Sequence, residues 1–553
     1  MYAPGIDASS AALIEERDDR RRRDPTDPEI TRLNSEISAS IASSSRERWM
    51  DTVRNADHRS NPVRFWRLLK GLTGKRTYTA PNQPVSFANK PPISKPSAIA
   101  NSFCKHYVSV GNYQANRASR QIYRGLKVNN TLDRSYCLFS EAEVITAIRH
   151  SKNLTAAGPN GLTILHLKHL GPVAIRFLTH LFNLSVRGAE LPAIWKAAHV
   201  VPVLKPGKVA DQAASYRPVS LLCPEIKVLE RLLLPVLNAA LSPAPTQHGF
   251  RKNRSTVSAL LPIATAIAQG FNRPKPATRT GLLCVDLSKA FDMVEHAALL
   301  QKIGYTALHP NIKRWLVTYL RDRKIRCLFG GAHSRWRKMR VGVPQGSVSS
   351  PCLFNFFVND VAAPSAPINE SYADDFHAAA QDTSPQVIAD CLSAAAGEIS
   401  SQSTQLRMPL LASKSTVTLF TPWNKQYGRL PEVKVGNDVI PQDNNPKLLG
   451  VTFDPFFTFC NHAALTAGKA SRRLNVLRAV ADTSFGHDKE CLTMTFKALI
   501  RPFFDYAAPI VYPNYSPTSI RRLQLIQNKS LRLITGCHNA AAQDHLHDET
   551  QIQ

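Results

Sequence analysis

The chain has 553 residues, with 69 Lys and Arg against 41 Asp and Glu, a formal net charge of +28. That length exceeds a single compact core, and the cation excess calls for a polyanionic partner, nucleic acid first. The ten cysteines contain no C-x-x-C pair, no apolar run reaches the length of a membrane span and the first residues lack a signal-peptide core, which argues against a disulfide framework, a cysteine zinc finger, a membrane protein and export. An intracellular protein is expected.

In chain order, residues 1–130 mix charge runs (Arg20 to Arg23) with Ser-rich and Pro-rich stretches, and predict a basic, linker-like, largely disordered region. Short helices are expected at 29–43 and around 65–70, where basic and aromatic residues suit nucleic acid. From about 139 the texture becomes globular: Ser140 with Glu141 and Glu143 opens a helix ending near His150, followed by a rigid loop at 156–162 and helices to about Arg187. An apolar strand at 198–204 leads through the basic turn Lys205-Pro206-Gly207-Lys208 to a strand at 216–221 and a helix at 226–240. The run 281–286 predicts an interior strand that delivers Asp286 to a site. Ile312, Trp315, Leu316, Tyr319 and Leu320 share one helix face; a hairpin surrounds Gly330-Gly331; Ser350 and Pro351 open a buried helix. Past 454 the pattern is helical. At 519–534, Leu523, Ile526, Leu533 and Ile534 take one side and Arg521, Arg522, Lys529 and Arg532 another, which suits a duplex or a solvated face alike. Cys537, His538, His545 and His547 fit no standard zinc spacing.

The chemistry concentrates in Tyr372-Ala373-Asp374-Asp375-Phe376, with Asp286 ending an apolar strand far upstream. Carboxylates a few ångströms apart stay ionised only beside a compensating cation, and two Mg2+ ions (Mn2+ as a substitute) would supply it and assist displacement at phosphorus. Consecutive strand residues face opposite ways, so Asp374 and Asp375 reach one site only at a tight hairpin turn, with Asp374 the firmer ligand. Pro364, Pro367, Asn369 and Glu370 make a poor first strand for that hairpin, and Glu370 adds charge near the metals. Singly, each feature has a plain alternative: aspartate pairs are common in turns, Phe291 suits a core, Gln345 a turn and Arg217 a surface ion pair. The argument lies in the order: Asp286, then Leu287-Ser288-Lys289-Ala290-Phe291-Asp292, then Gly342 to Pro351, then Tyr372 to Asp375.

In this order the residues resemble the reverse transcriptases of non-LTR (LINE-type, Jockey-like) retrotransposons. The blocks at 156–161, 216–221, 247–256 and 447–454 are similar to the family's further motifs. The resemblance implies an α+β right-hand polymerase with fingers, a palm built on an antiparallel sheet and a helical thumb. Residues 131–184 would extend the fingers, 185–454 form fingers and palm, and 455–553 a thumb that stops short. It also implies metal ligation by Asp286, Asp374 and, more weakly, Asp375. Phe291 would exclude a 2'-hydroxyl, Gln345 and Gly346 would meet the nucleotide and templating base, and Arg217, helped by Lys205 or Lys208, would hold the triphosphate. Lys414 would be general acid toward pyrophosphate. The implied partners are an RNA template, a DNA primer and dNTPs, with no membrane, at work in the nucleus during integration. Residues 1–130 show none of the motifs of the endonuclease that usually precedes such enzymes. A decayed nucleic-acid-binding remnant and another templated polymerase stay open as alternatives.

Overall fold

A computed structural model describes residues 7–74, 84–87, 91–109, 125, 131–133, 135–136, 139–153, 155–287, 290–482, 486–538 and 540–552. The chain divides into two compact units, one of Thr77–Phe457 and the other of Met1–Arg76 together with Thr458–Gln553.

The strands that matter in the first unit are β1 (Ala197–Leu204), β2 (Tyr216–Leu221), β3 (Arg279–Asp286), β4 (Lys324–Phe329), β5 (Ala332–His333), β6 (Arg337–Lys338), β7 (Ile368–Tyr372), β8 (Asp375–Asp382) and β9 (Thr416–Phe420). They form two sheets. One has the order β7-β8-β3-β9 with every pair antiparallel. The interior strand β3 buries Leu282, Leu283 and Val285, the continuous apolar run that an interior position demands. Helix Pro385–Gln405 packs on β3 and β8 through Ile388, Leu392, Ala395 and Ile399. In the other sheet β1 pairs antiparallel with β2 and parallel with β4. β4 turns into β5 at Gly330-Gly331, where both residues have positive φ, the backbone a two-residue hairpin favours.

The expected strands at 198–204, 216–221 and 281–286 are present to within two residues, as are helices Pro224–Ala240, Pro310–Leu320 and Ser350–Phe357. The polar strand β7 forms despite Asn369 and Glu370 because it is a sheet edge, and residues 246–248 line that edge: His248 N–H donates to Ser371 O at 2.8 Å and Ser371 N–H to Thr246 O at 2.9 Å.

In the second unit the short helices expected at 29–43 and around 65–70 are present in longer form as Glu29–Arg54 and Pro62–Leu72, and Ala8–Arg23 is a helix where only a linker was expected. Ala8–Arg23 and Glu29–Arg54 pack on each other, and Phe65 of Pro62–Leu72 is fully buried. Helix Ala8–Arg23 and the C-terminal half of Glu29–Arg54 have apolar stripes too sparse to stand out in a basic, Ser-rich sequence. Residues 75–83, 88–90, 110–124 and 126–130, where the linker expectation also falls, lie outside the described residues. In the C-terminal half, helices Cys460–Val480 and Pro517–Thr535 pack together. Leu523, Ile526 and Ile534 are buried as expected, with Leu531 buried beside the half-exposed Leu533. No helix among the described residues is long and apolar enough to cross a membrane.

Candidate active site

Asp286 ends β3, and the residue directly across the antiparallel ladder is Asp375, the first residue of β8. Cross-strand partners point to the same face with their Cβ atoms about 5 Å apart. Tyr372 pairs with Asp375 on the other side, so Ala373 and Asp374 form a two-residue turn that carries Asp374 toward the same end of the sheet. The hairpin therefore solves the alternation problem by keeping Asp375 in the strand and Asp374 in the turn.

That turn is held from behind. Ala373 adopts φ +57°, a left-handed conformation that costs a non-glycine residue about 1 kcal/mol or more. The amide of Gln247 grips both polar groups of Ala373: its Oε1 accepts from Ala373 N–H at 2.7 Å, and its Nε2 donates to Ala373 O at 3.1 Å. The same Oε1 also accepts from Gly249 N–H at 2.8 Å. A Cβ at Gly249 would lie 2.4 Å from Ala373 N, so only glycine lets the two backbones come this close. Beside it, His248 is bonded through one nitrogen to Ser258 Oγ and through the other to Glu370 Oε2, each at 2.8 Å. Glu370 thus has a partner in His248, and burial pushes its carboxyl up to about 7.

The three aspartates repel one another. Burial first, then the charges of Asp374 and Asp286, push Asp375 up to about 6. Asp374 is raised by burial and by Asp286, against its own N–H and the nearby Arg217, which lower it. Asp286 and Asp375 are open to solvent on one side while protein crowds the others. Burial and mutual repulsion both act against the charged forms of Asp374 and Asp375, and three hard oxygen donors of this kind suit divalent cations.

A rim of cations surrounds them. The amine of Lys205 is lowered by burial and by the charges of Arg217, Lys414 and Lys208, with Asp286 acting in the opposite sense. Arg217 lies on β2 and is exposed. Lys414 lies in the turn Leu411-Ala412-Ser413-Lys414-Ser415, which clasps the end of β3: Leu411 N–H donates to Asp286 O at 3.1 Å and Asp286 N–H to Ser415 Oγ at 3.2 Å.

The Pro344-Gln345-Gly346-Ser347 turn meets β2. Ser220 N–H donates to Gln345 O at 2.7 Å, and a Cβ at Gly346 would come within 2.5 Å of Ser220 O. The Gln345 amide donates to Asp292 Oδ1 at 3.0 Å. Phe291 stacks on Phe354 at 4.1 Å with 15° between the rings and meets Phe250 edge-on at 6.0 Å. It remains half-exposed, so one part of the ring is free of the core. Behind the turn, the fully buried carboxylate of Glu230 accepts from Tyr319 Oη at 2.7 Å, Ser347 Oγ at 2.9 Å and Val348 N–H at 2.6 Å.

All eight expected site residues thus lie in one unit, and the aspartates, Arg217, Lys205 and Lys414 interact electrostatically. Sequence reasoning missed the holding residues Gln247, Glu230 and Ser415. Gln247 opened a motif block without a role, and Glu230 sat unmarked in an amphipathic helix.

The family model described as reverse transcriptase (RNA-dependent DNA polymerase) matches residues 203–453, the stretch that contains every one of these residues. Residues 203–453 are a reverse transcriptase domain. A "Probable RNA-directed DNA polymerase from transposon X-element" of Drosophila melanogaster is 29% identical over 427 residues, covering 75% of this chain and 46% of the relative. The polymerase of transposon BS from the same fly is 27% identical over 71% of the chain and 44% of the relative. That of the mobile element jockey is 24% identical over 85% of the chain and 52% of the relative. The chain spans about half the length of these curated relatives. They bear out the non-LTR resemblance read from the motifs.

Proposed function

We propose that the chain is the polymerase of a non-LTR retrotransposon, copying an RNA template into DNA by adding dNTPs to a primer 3'-hydroxyl. The observation that carries this is the pairing of Asp286 with Asp375 across two strands, with Asp374 in the adjoining turn and Arg217, Lys205 and Lys414 around them. The sheet β7-β8-β3-β9 would be the palm, β1 and β2 part of the fingers, and the helices after 457 the thumb.

Asp286, Asp374 and Asp375 would hold two divalent ions, which when bound supply a lowered pKa for the attacking hydroxyl and charge stabilisation at the phosphate. Arg217, with Lys205 and Lys208, binds the triphosphate oxygens as a multidentate cation set. The exposed part of Phe291, fixed by stacking on Phe354, sits under the sugar and excludes a 2'-hydroxyl. Gln345 faces the incoming nucleotide, and release of its amide from Asp292 frees a donor for that contact. Lys414, on the turn bonded to the Asp286 backbone, protonates the departing pyrophosphate. In the cell this chemistry would run in the nucleus at integration, on RNA template and DNA primer.

Primer extension on an RNA template with Mg2+ and dNTPs tests the assignment. Asp286→Asn and Asp374→Asn are each expected to lower the rate by at least 1,000-fold, about 4 kcal/mol of barrier, with duplex binding retained. Extension that survives both substitutions sinks it, and duplex binding by a wild type that never extends would favour a decayed remnant.

A further inference from the structure

A second cluster of metal-binding side chains lies in the other unit, where the N-terminal helices meet the C-terminal ones. Asp57, His58 and Cys491 bring one donor atom each within 4.8 Å of one another, the one such group of three among the described residues. His58 Nδ1 is 2.9 Å from Cys491 Sγ and 3.8 Å from Asp57 Oδ1. The thiol is buried in the first turn of helix Lys489–Leu499, and burial together with the charges of Asp488 and Asp57 pushes it up to about 11, so in the metal-free chain it keeps its proton.

Three features go beyond a hydrogen-bonded His–Cys pair. The other ring nitrogen of His58 faces Glu490 Oε1 at 3.7 Å, beyond a hydrogen bond but near enough for a small rotation to make the carboxylate–imidazole contact found behind metal-bound histidines. His487, whose Nε2 is buried without a hydrogen-bond partner, lies within electrostatic reach of both Asp57 and His58, and the ring of Phe65 touches both histidines, at 5.3 and 5.9 Å. Finally, Asp57, Asp488 and Glu490 surround a single guanidinium, that of Arg59, which leaves the cluster two negative charges in excess. A divalent ion that displaces the thiol proton would cut that excess from two charges to one.

We propose that Cys491 Sγ, His58 Nδ1, Asp57 and His487 Nε2 form a Zn2+ site that ties the segment around residue 58 to the helix that begins at Lys489. A mixed sulfur, nitrogen and oxygen set is borderline-soft, which selects zinc over the hard cations drawn to the aspartates of the polymerase domain. Ligand bonds of about 2.0 Å to nitrogen and 2.3 Å to sulfur require the 2.9 Å contact between His58 and Cys491 to open to about 3.5 Å, and require His487, which stands outside the group of three within 4.8 Å, to turn toward them. Binding displaces the thiol proton to solvent, so the ion replaces one proton on sulfur. The ligands come from positions more than 400 residues apart, so zinc would lock together parts of the chain that no local sequence motif joins.

The test uses the purified full chain. After dialysis with Zn2+ and then against metal-free buffer, atomic emission should find one zinc per chain, and zinc should raise the thermal midpoint while Mg2+ does not. Loading with Co2+ should give the thiolate-to-cobalt charge-transfer band, absent in Cys491→Ser, while His58→Gln should retain no zinc. Glu490→Gln, which keeps all four ligands, should weaken zinc binding by about tenfold. Substoichiometric zinc in the wild type overturns the proposal, as does a cobalt band that persists in Cys491→Ser, since it would arise from an exposed thiol such as Cys460 or Cys537.

Discussion

Two short turns frame the candidate active site, and they are held in opposite ways. The Ala373-Asp374 turn, beside three carboxylates, is gripped by a neutral amide, Gln247, that donates and accepts at once. The Gln345-Gly346-Ser347 turn is gripped by a buried carboxylate, Glu230, that only accepts. Charge explains the difference. Burial and then the neighbouring carboxylates already push Asp375 up to about 6, and a fourth carboxylate at 247 would add to the repulsion. Behind Gln345, a carboxylate satisfies two hydroxyl and amide donors of the turn region and the Tyr319 hydroxyl together, and charge-assisted bonds are the stronger kind.

Exchanging the two solutions breaks or sharpens this contrast. The largest effect is expected for Gln247→Glu, which loses the donor to Ala373 O and brings negative charge to the hairpin: extension should fall about 100-fold, roughly 3 kcal/mol, with a changed Mg2+ dependence. A variant with unchanged Mg2+ dependence would reduce Gln247 to a purely structural clamp. The reciprocal Glu230→Gln should cost about 1–3 kcal/mol in denaturant unfolding, because one amide oxygen cannot serve three donors, and it should raise the nucleotide KM more than it lowers kcat. Equal tolerance of the two exchanges would refute the charge argument.

The smallest effect concerns pH. Asp375 is raised from 3.8 to about 6, so between those values the folded chain holds a proton that the unfolded chain has lost. Without divalent cations the thermal midpoint should therefore fall as pH rises through that window. Asp375→Asn should flatten the slope and raise the midpoint by a few degrees near neutral pH. A slope unchanged in the variant would assign the titration elsewhere.

Much of the site was legible beforehand because its signals are local. An apolar strand ending in Asp286, an Asp-Asp pair that needs a tight turn and a Pro-Gln-Gly turn each announce themselves within a few residues. The N-terminal helices were legible only in part. Glu29–Arg54 was expected only over 29–43, because beyond Ile37 its apolar stripe thins to Val53 among serines and charges. Glu370 read as extra charge for the metals because its partner, His248, is 122 positions away.

By itself the sequence determined the excess of cations that calls for a polyanion, the strands β1 to β3 and the order of the chemistry-bearing residues, since composition and short-range pattern set all of these. Only the tertiary structure decided that Asp375, not Asp374, stands opposite Asp286, because register depends on the turn that joins β7 to β8. It likewise decided that Gln247 and Glu230 hold the two turns, and that His58 meets Cys491. Such contacts join residues far apart in the chain, and a hydrogen bond or ligand set across that distance leaves no periodicity to read.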